Sequence, residues 1–291
     1  SDFISSFKDN LNDKIKLNYA PGYLNKETNP DLINKAKEIA KKSEMTIIFA
    51  GLPNDYEIEG KDREHLNLPK YQNRVIEAVA EVTENIVVVL LNGSPVVMPW
   101  KEKVKSILEA YLAGGFAGRA IADILSGKVN PSGKLAETIP EKIEDSAAYL
   151  NFPGEKDSVL YGEDIFVGYR YYDKKLIKPA FPFGYGLSYT DFEYRDLIIE
   201  KNQIENKTII SIYFKLKNIG KRKGKEIVQL YIAPPKNSKV RRPVKELKKF
   251  KKIELNPDEE NKIEFMINKQ DLLYYDQEKQ AWELETGEYS I

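Results

Sequence analysis

Hydrophobic residues follow two alternating signatures through the first half of the chain. Behind Asn29-Pro30-Asp31, the residues Leu32, Ile33, Ala36, Ile39 and Ala40 fall at helical spacing and predict a helix running to Lys42. Met45–Ala50 is a short apolar run, the pattern of a parallel strand covered on both faces. Lys70–Val82 returns to helical spacing through Val75, Ile76, Val79 and Val82, and Ile86–Leu91 is a second apolar run. Val104–Tyr111 fits a strand or a short helix, and Arg119–Leu125 a helix behind a glycine-rich turn. Strands alternating with helices predict an α/β layered sandwich with a mostly parallel sheet.

Between about Glu141 and Tyr189 this pattern gives way to Tyr, Phe, Gly and Pro, and from Thr190 the period becomes two. Ile210, Ile212, Phe214 and Leu216 alternate with Ser211, Tyr213 and Lys215. Gly224–Ala233, Glu246–Leu255 and Lys262–Ile267 follow at regular intervals, parted by Gly, Pro and Asn. Short strands with turn signals between them predict a β-sandwich. The fold class is therefore α/β plus all-β. The α/β sandwich covers residues 1–145, an aromatic and glycine-rich interdomain segment residues 146–189, and the β-sandwich residues 190–291. Residue 1 is Ser, and Gly287-Glu-Tyr-Ser-Ile291 reads as the beginning of a strand, so both ends are expected to be truncations of a longer chain.

Composition narrows the chemistry. The 291 residues carry 45 basic and 45 acidic side chains, a balance that argues against nucleic-acid binding. With no Cys, thiol catalysis, disulfide scaffolds and Cys-ligated metals are excluded, and a single His leaves only His65 as the base of any Ser-His-Asp triad. The longest wholly apolar stretch, Ile86–Leu91, is far short of a membrane span. Ser1–Asn18 has no signal-peptide pattern, and the cytoplasm is the default expectation for localisation.

Candidate chemistry concentrates in Gly51–Pro69, which follows an apolar strand directly and so lies at a strand's carboxyl end, where open α/β sheets bind ligands. It holds Asp55, Glu57, Glu59, Asp62 and Glu64 beside Lys61, Arg63 and His65. Clustered carboxylates suit general acid–base work, although a solvated charged loop has the same composition and spacing alone does not choose among the acids. A calcium loop is rejected, because Leu66 stands where the bidentate Glu belongs. No metal or cofactor is expected. Ala113-Gly-Gly-Phe-Ala-Gly118 lacks the spacing of a nucleotide loop and reads as a tight turn. The nine Lys and Arg of Lys236–Lys252 read as a solvated sandwich face, with Leu247, Phe250 and Ile253 as the buried positions of a strand. The aromatics Tyr169, Tyr171, Tyr172, Phe181, Phe183, Tyr185 and Tyr189 are assigned to packing between domains, with one or two bordering a ligand.

Taken in order, several segments resemble family 3 glycoside hydrolases of the β-glucosidase type. They are Glu59-Gly-Lys-Asp-Arg63, Leu66-Asn-Leu-Pro69, Val87–Pro95, Met98-Pro-Trp100, Ala120–Leu125, Asn130-Pro-Ser-Gly-Lys-Leu135, Tyr161–Tyr172 and Phe181–Tyr189. In the sandwich, Arg242-Pro-Val-Lys-Glu-Leu247 matches best. The resemblance implies three modules: a TIM-like barrel, an α/β sandwich and a fibronectin type III-like domain, of which this chain carries the last two. The nucleophilic Asp belongs to the absent barrel; Ser1-Asp2-Phe3 echoes its motif but has no apolar strand before it and is rejected. The resemblance places the general acid/base at Glu59, with Glu57, two residues away in the same loop, as the alternative. It gives Asp62 and Arg63 a loop-bracing role, by an ion pair, over a substrate-binding one. The implied activity is retaining hydrolysis of terminal β-D-glucosyl residues, with a β-linked glucoside and the barrel domain as partners. The competing class is a non-catalytic carbohydrate-binding or domain-scaffolding module.

Overall fold

A computed structural model describes residues 3–10, 15–24, 27–204 and 207–291. Ser1 and Asp2 of the rejected nucleophile echo lie outside the described residues. The chain divides into two units, Ser1–Val129 with Ile139–Ser146, and Asn130–Thr138 with Ala147–Ile291.

The first unit runs α1 (Phe3–Asn10), α2 (Pro30–Lys41), β1 (Thr46–Gly51), α3 (Lys70–Ala80), β2 (Ile86–Leu91), β3 (Ser106–Glu109) and α4 (Ala117–Leu125). Asn29 starts α2 by accepting from the backbone N–H groups of Asp31 and Leu32 at 3.0 and 3.2 Å, with Pro30 supplying its preset φ behind it. The three strands form a parallel sheet in the order β1-β2-β3, with Thr46 opposite Ile86 and Val87 opposite Ser106. On one face Val89 and Leu91 pack with Phe7 of α1 and with Ile121 and Ala122 of α4. The alternate residues Ile86, Val88 and Leu90 are fully buried as well, so β2 is covered on both sides, as its unbroken apolar run requires. The predicted α/β layering is what forms. Helix α1 was not predicted; its eight residues, FISSFKDN, are too few to display a helical repeat.

The second unit contains α5 (Tyr169–Lys175), β4 (Phe192–Ile204), β5 (Lys207–Asn218), β6 (Gly224–Ile232), β7 (Glu246–Leu255), β8 (Glu260–Asn268), β9 (Tyr274–Asp276) and β10 (Ala281–Glu283). Antiparallel β4-β5-β8 and β6-β7 form the two sheets of a sandwich, and β9-β10 is a separate hairpin. The core between the sheets is built from alternate residues: Ile212, Phe214 and Leu216 of β5, Val228, Leu230 and Ile232 of β6, Ile253 and Leu255 of β7, and Ile263, Phe265 and Ile267 of β8. Each of these buried side chains contributes about 1.5–3 kcal/mol relative to exposure.

The basic stretch departs from its predicted reading in two ways. Ile253 is buried but Phe250 is 70% exposed, because residues three apart lie on opposite faces of a strand. Nor is Lys236–Lys252 one solvated face. Arg242 is 7% exposed, over the rings of Tyr274 and Tyr289 at 5.6 and 5.8 Å, with Glu285 and Glu246 carboxylates 3.7 and 3.8 Å away. Of the aromatic segment, Tyr169 stacks on Phe183 at 4.9 Å, meets Tyr231 edge-on at 5.9 Å, and accepts a 2.8 Å hydrogen bond at its hydroxyl from the Leu247 N–H. These rings pack onto the sandwich within the second unit. Among the described residues, no helix is long and apolar enough to cross a membrane.

Candidate active site

Because β1, β2 and β3 are parallel, their carboxyl ends lie at one edge of the sheet, and the loops that follow them share that edge. The exit from β1 is fixed at Gly51. Its N–H donates to Gln72 Oε1 at 2.8 Å, Gln72 Nε2 donates back to its carbonyl at 2.9 Å, and Leu52 N–H donates to the Leu91 carbonyl at 3.0 Å. Farther along, Val97 N–H donates to the Leu66 carbonyl at 2.8 Å, which ties the loop's other end beside the chain leaving β2.

Between these ties the loop closes a tight turn. Lys61 N–H donates to the Ile58 carbonyl at 3.2 Å. Glu59 and Gly60 are the two central residues, and Gly60 has φ +78°, the left-handed value that a type II turn demands at its third position. Glu59 is thus carried at the tip of a reversal, and its side chain is exposed. Among the described residues its carboxylate makes no hydrogen bond or ion pair.

Glu57 has a different setting. Its two oxygens share the Gly93 N–H at 2.8 and 2.9 Å, and Oε1 also accepts from Ser94 Oγ at 3.0 Å. The Ser94 hydroxyl in turn accepts from Arg63 Nη1 at 2.7 Å, and the same Arg63 nitrogen donates to the Pro95 carbonyl at 3.2 Å. Burial pulls the Arg63 guanidinium below its ordinary range, with the Glu57 charge opposing. These side chains, with Tyr56, Ile58, Lys61 and Leu112, line an open depression of about 300 Å³ behind the turn. Arg63 therefore braces the loop through Ser94 and Pro95. Among the described residues it forms no ion pair with Asp62, whose side chain is exposed. His65 is also exposed, its ring 6.1 Å from that of Tyr56.

Gly93 and Ser94 are the participants that sequence reasoning passed over. Gly93-Ser94-Pro95 follows an apolar strand just as the acidic loop does, and that shared position at a strand's carboxyl end was the available signal. Chemically, of the two candidate acids Glu59 is exposed on the turn and Glu57 is occupied in holding it, while Asp55, Asp62 and Glu64 of the same loop are exposed as well. Among the described residues, no group of three or more His, Cys, Asp or Glu side chains is arranged to hold a metal ion.

Residues 3–189 match the glycosyl hydrolase family 3 C-terminal domain, and residues 226–291 match the fibronectin type III-like domain. The thermostable β-glucosidase B of Acetivibrio thermocellus is 56% identical over 281 residues, which cover 96% of this chain and 37% of that protein. A probable β-glucosidase I of Aspergillus clavatus is 44% identical over 90% of this chain and 32% of its own length. The crystal structure of a Bifidobacterium adolescentis family 3 β-glucosidase superimposes with a TM-score of 0.92 at 38% identity, covering 99% of this chain and 42% of that one. A Kluyveromyces marxianus β-glucosidase in complex with glucose gives 0.83 at 43% identity, over 89% and 30%. The chain thus spans about a third of the length of these curated relatives, 37% of one and 32% of the other. With an α/β unit and a β-sandwich that both match, the chain belongs to glycosyl hydrolase family 3, of which it carries the C-terminal domain and the fibronectin type III-like domain.

Proposed function

We propose that this chain is the C-terminal part of a retaining, exo-acting β-glucosidase and supplies its general acid/base, Glu59. In this reading an Asp of a barrel domain outside the chain attacks the anomeric carbon of a terminal β-glucosyl residue. Glu59 gives its proton to the leaving glycosidic oxygen, then takes one from the water that releases the sugar from the Asp ester. Retention calls for the two carboxyls to stand about 5–5.5 Å apart, so the acid/base must project from its own domain toward another.

The observation that carries this reading is the contrast between the loop's two candidate acids. Glu59 is exposed at the tip of a fixed turn, whereas both Glu57 oxygens already accept hydrogen bonds from Gly93 and Ser94. A proton donor must reach its substrate, and only the first carboxylate is presented to do so.

The test uses the complete protein, wild type and Glu59→Ala, on an aryl β-glucoside with a good leaving group. Such a leaving group needs little protonation, so glycosylation survives while deglycosylation stalls. Azide, which needs no general base, should restore turnover and give the β-glucosyl azide. A Glu59→Ala enzyme that behaves as wild type assigns the acid/base to another residue.

A further inference from the structure

Glu57 and Arg63 lie two residues before Glu59 and four after it, and both side chains end on Ser94. A serine hydroxyl has one hydrogen, and here its direction is fixed: Ser94 accepts from Arg63 Nη1 at 2.7 Å and donates to Glu57 Oε1 at 3.0 Å. The Gly93 N–H adds a contact at 2.8 Å to Oε1 and 2.9 Å to Oε2. The bonds to the Glu57 carboxylate and from the Arg63 guanidinium each involve a charged type of side chain, the class that contributes most per bond. Both arms of the turn are thereby pinned to the Gly93–Pro95 strip, which follows β2, the strand buried on both faces. Between the pins the Ile58–Lys61 reversal leaves Glu59 little backbone freedom while its side chain stays exposed. The same contacts argue against Glu57 as the proton donor, because each of its oxygens is already engaged as an acceptor.

We infer that Glu57 is a positioning residue: through Gly93 and Ser94 it fixes the turn that aims the Glu59 carboxyl at the leaving oxygen, with Arg63 holding the opposite arm. This inference rests on the acid/base reading of Glu59. It predicts a particular kinetic signature, because misplacing a general acid hurts substrates only in proportion to their need for protonation. A group displaced by about 1 Å can cost roughly a hundredfold.

The experiment measures kcat/KM of the complete protein on dinitrophenyl, nitrophenyl and alkyl β-glucosides, which reports glycosylation across a range of leaving groups. Glu57→Ala should lose roughly a hundredfold on the alkyl glucoside and less than about threefold on the dinitrophenyl one, so its leaving-group dependence steepens. Glu57→Gln can place its amide oxygen at the Oε1 position, keeping the Oε1 contacts from Gly93 and Ser94 but setting its NH2 beside the Gly93 N–H in place of Oε2, and should restore part of the alkyl activity. Ser94→Ala releases one contact from each arm and should steepen the dependence by a smaller factor. It carries the test with Glu57→Gln if thermal denaturation shows that Glu57→Ala does not fold. A uniform loss across all leaving groups in every folded variant overturns the inference and leaves Glu57 a purely structural residue. If instead Glu57→Gln is as impaired as Glu57→Ala, and azide rescues Glu57→Ala with β-glucosyl azide as product, Glu57 is itself the acid/base and the inference is overturned. The Glu59→Ala azide result separates the two ideas: if it succeeds while the Glu57 variants show no steepening, the positioning role alone fails.

Discussion

Gln72 illustrates how one side chain can decide where a loop begins. Gly51 pairs with Leu91 of β2 on one side, and its own N–H and C=O point to the other, where no strand lies among the described residues. Gln72, 3% exposed on α3, fills that place with its amide: the oxygen accepts and the nitrogen donates, as a neighbouring peptide would. Gly51 has no room for anything larger, since a Cβ there would sit 2.1 Å from the Leu91 carbonyl oxygen. Gln72→Leu keeps much of the side-chain volume but orphans both backbone groups, at about 1–3 kcal/mol each if they stay dry. We expect it to lower unfolding stability by about 2–4 kcal/mol in chemical denaturation. Gln72→Glu should be comparably destabilising near neutral pH, because its second carboxylate oxygen faces the Gly51 carbonyl. A fully stable Gln72→Leu protein would mean that water replaces the amide and that the loop exit is not fixed in this way.

The regular elements were the most legible part of the chain. Pro30–Lys41 repeats one helical period, enforced by burial of one face, and Ile86–Leu91 is an unbroken apolar run, enforced by burial of both. Short elements escape, because α1, α5, β9 and β10 are too brief to repeat anything. Helix α5 is hidden further by the aromatic run Tyr169-Arg-Tyr-Tyr172, in which Tyr169 packs on Phe183 and Tyr231. The acidic loop was legible as a place, from the strand before it, but its two candidate acids were not separable by spacing. What distinguishes them is where the Gly93 N–H falls, and that depends on the register of β1 against β2 rather than on anything local. Tyr231 on β6 shows a similar long-range effect. Its hydroxyl donates to Gln229 Oε1 at 2.7 Å, and burial, with Tyr169 and Asp173 nearby, pushes its pKa up to about 12. A raised pKa means that folding favours the neutral phenol. Its contribution is therefore complete below pH 10.0, the ordinary tyrosine value, and is lost as pH climbs toward about 12. Tyr231→Phe should cost about 1 kcal/mol at neutral pH through the lost hydrogen bond, yet show a shallower stability loss over that alkaline window. Denaturant melts across the window check this; equal slopes in the two proteins would refute it. Tyr194, also raised by burial, should keep part of the slope in the variant.

The division of the chain bears on what it can do unaided. A general acid/base contributes roughly 10²–10⁴-fold, while enzymes exceed their uncatalysed reactions by about 10⁶-fold or more, so a lone carboxylate falls well short. The remainder must come from the nucleophile, from sugar-binding groups and from exclusion of water, none of which the exposed turn at Glu59 supplies. The turn is nonetheless braced by contacts that all lie within the first unit: Gln72 at its entry, Gly93 and Ser94 at its waist, and Val97 at its exit. Such bracing has little value for a solvated loop and considerable value if, as proposed, the Glu59 carboxyl must meet a partner domain to within about 1 Å. The 291-residue chain should therefore fold, with circular dichroism of a mixed α/β protein and cooperative melting. Its turnover of an aryl β-glucoside should stay at the buffer rate, unaltered by Glu59→Ala. Measurable turnover by the purified chain, abolished in that variant, would place the nucleophile inside these residues and end the assignment of the two carboxyls to separate domains.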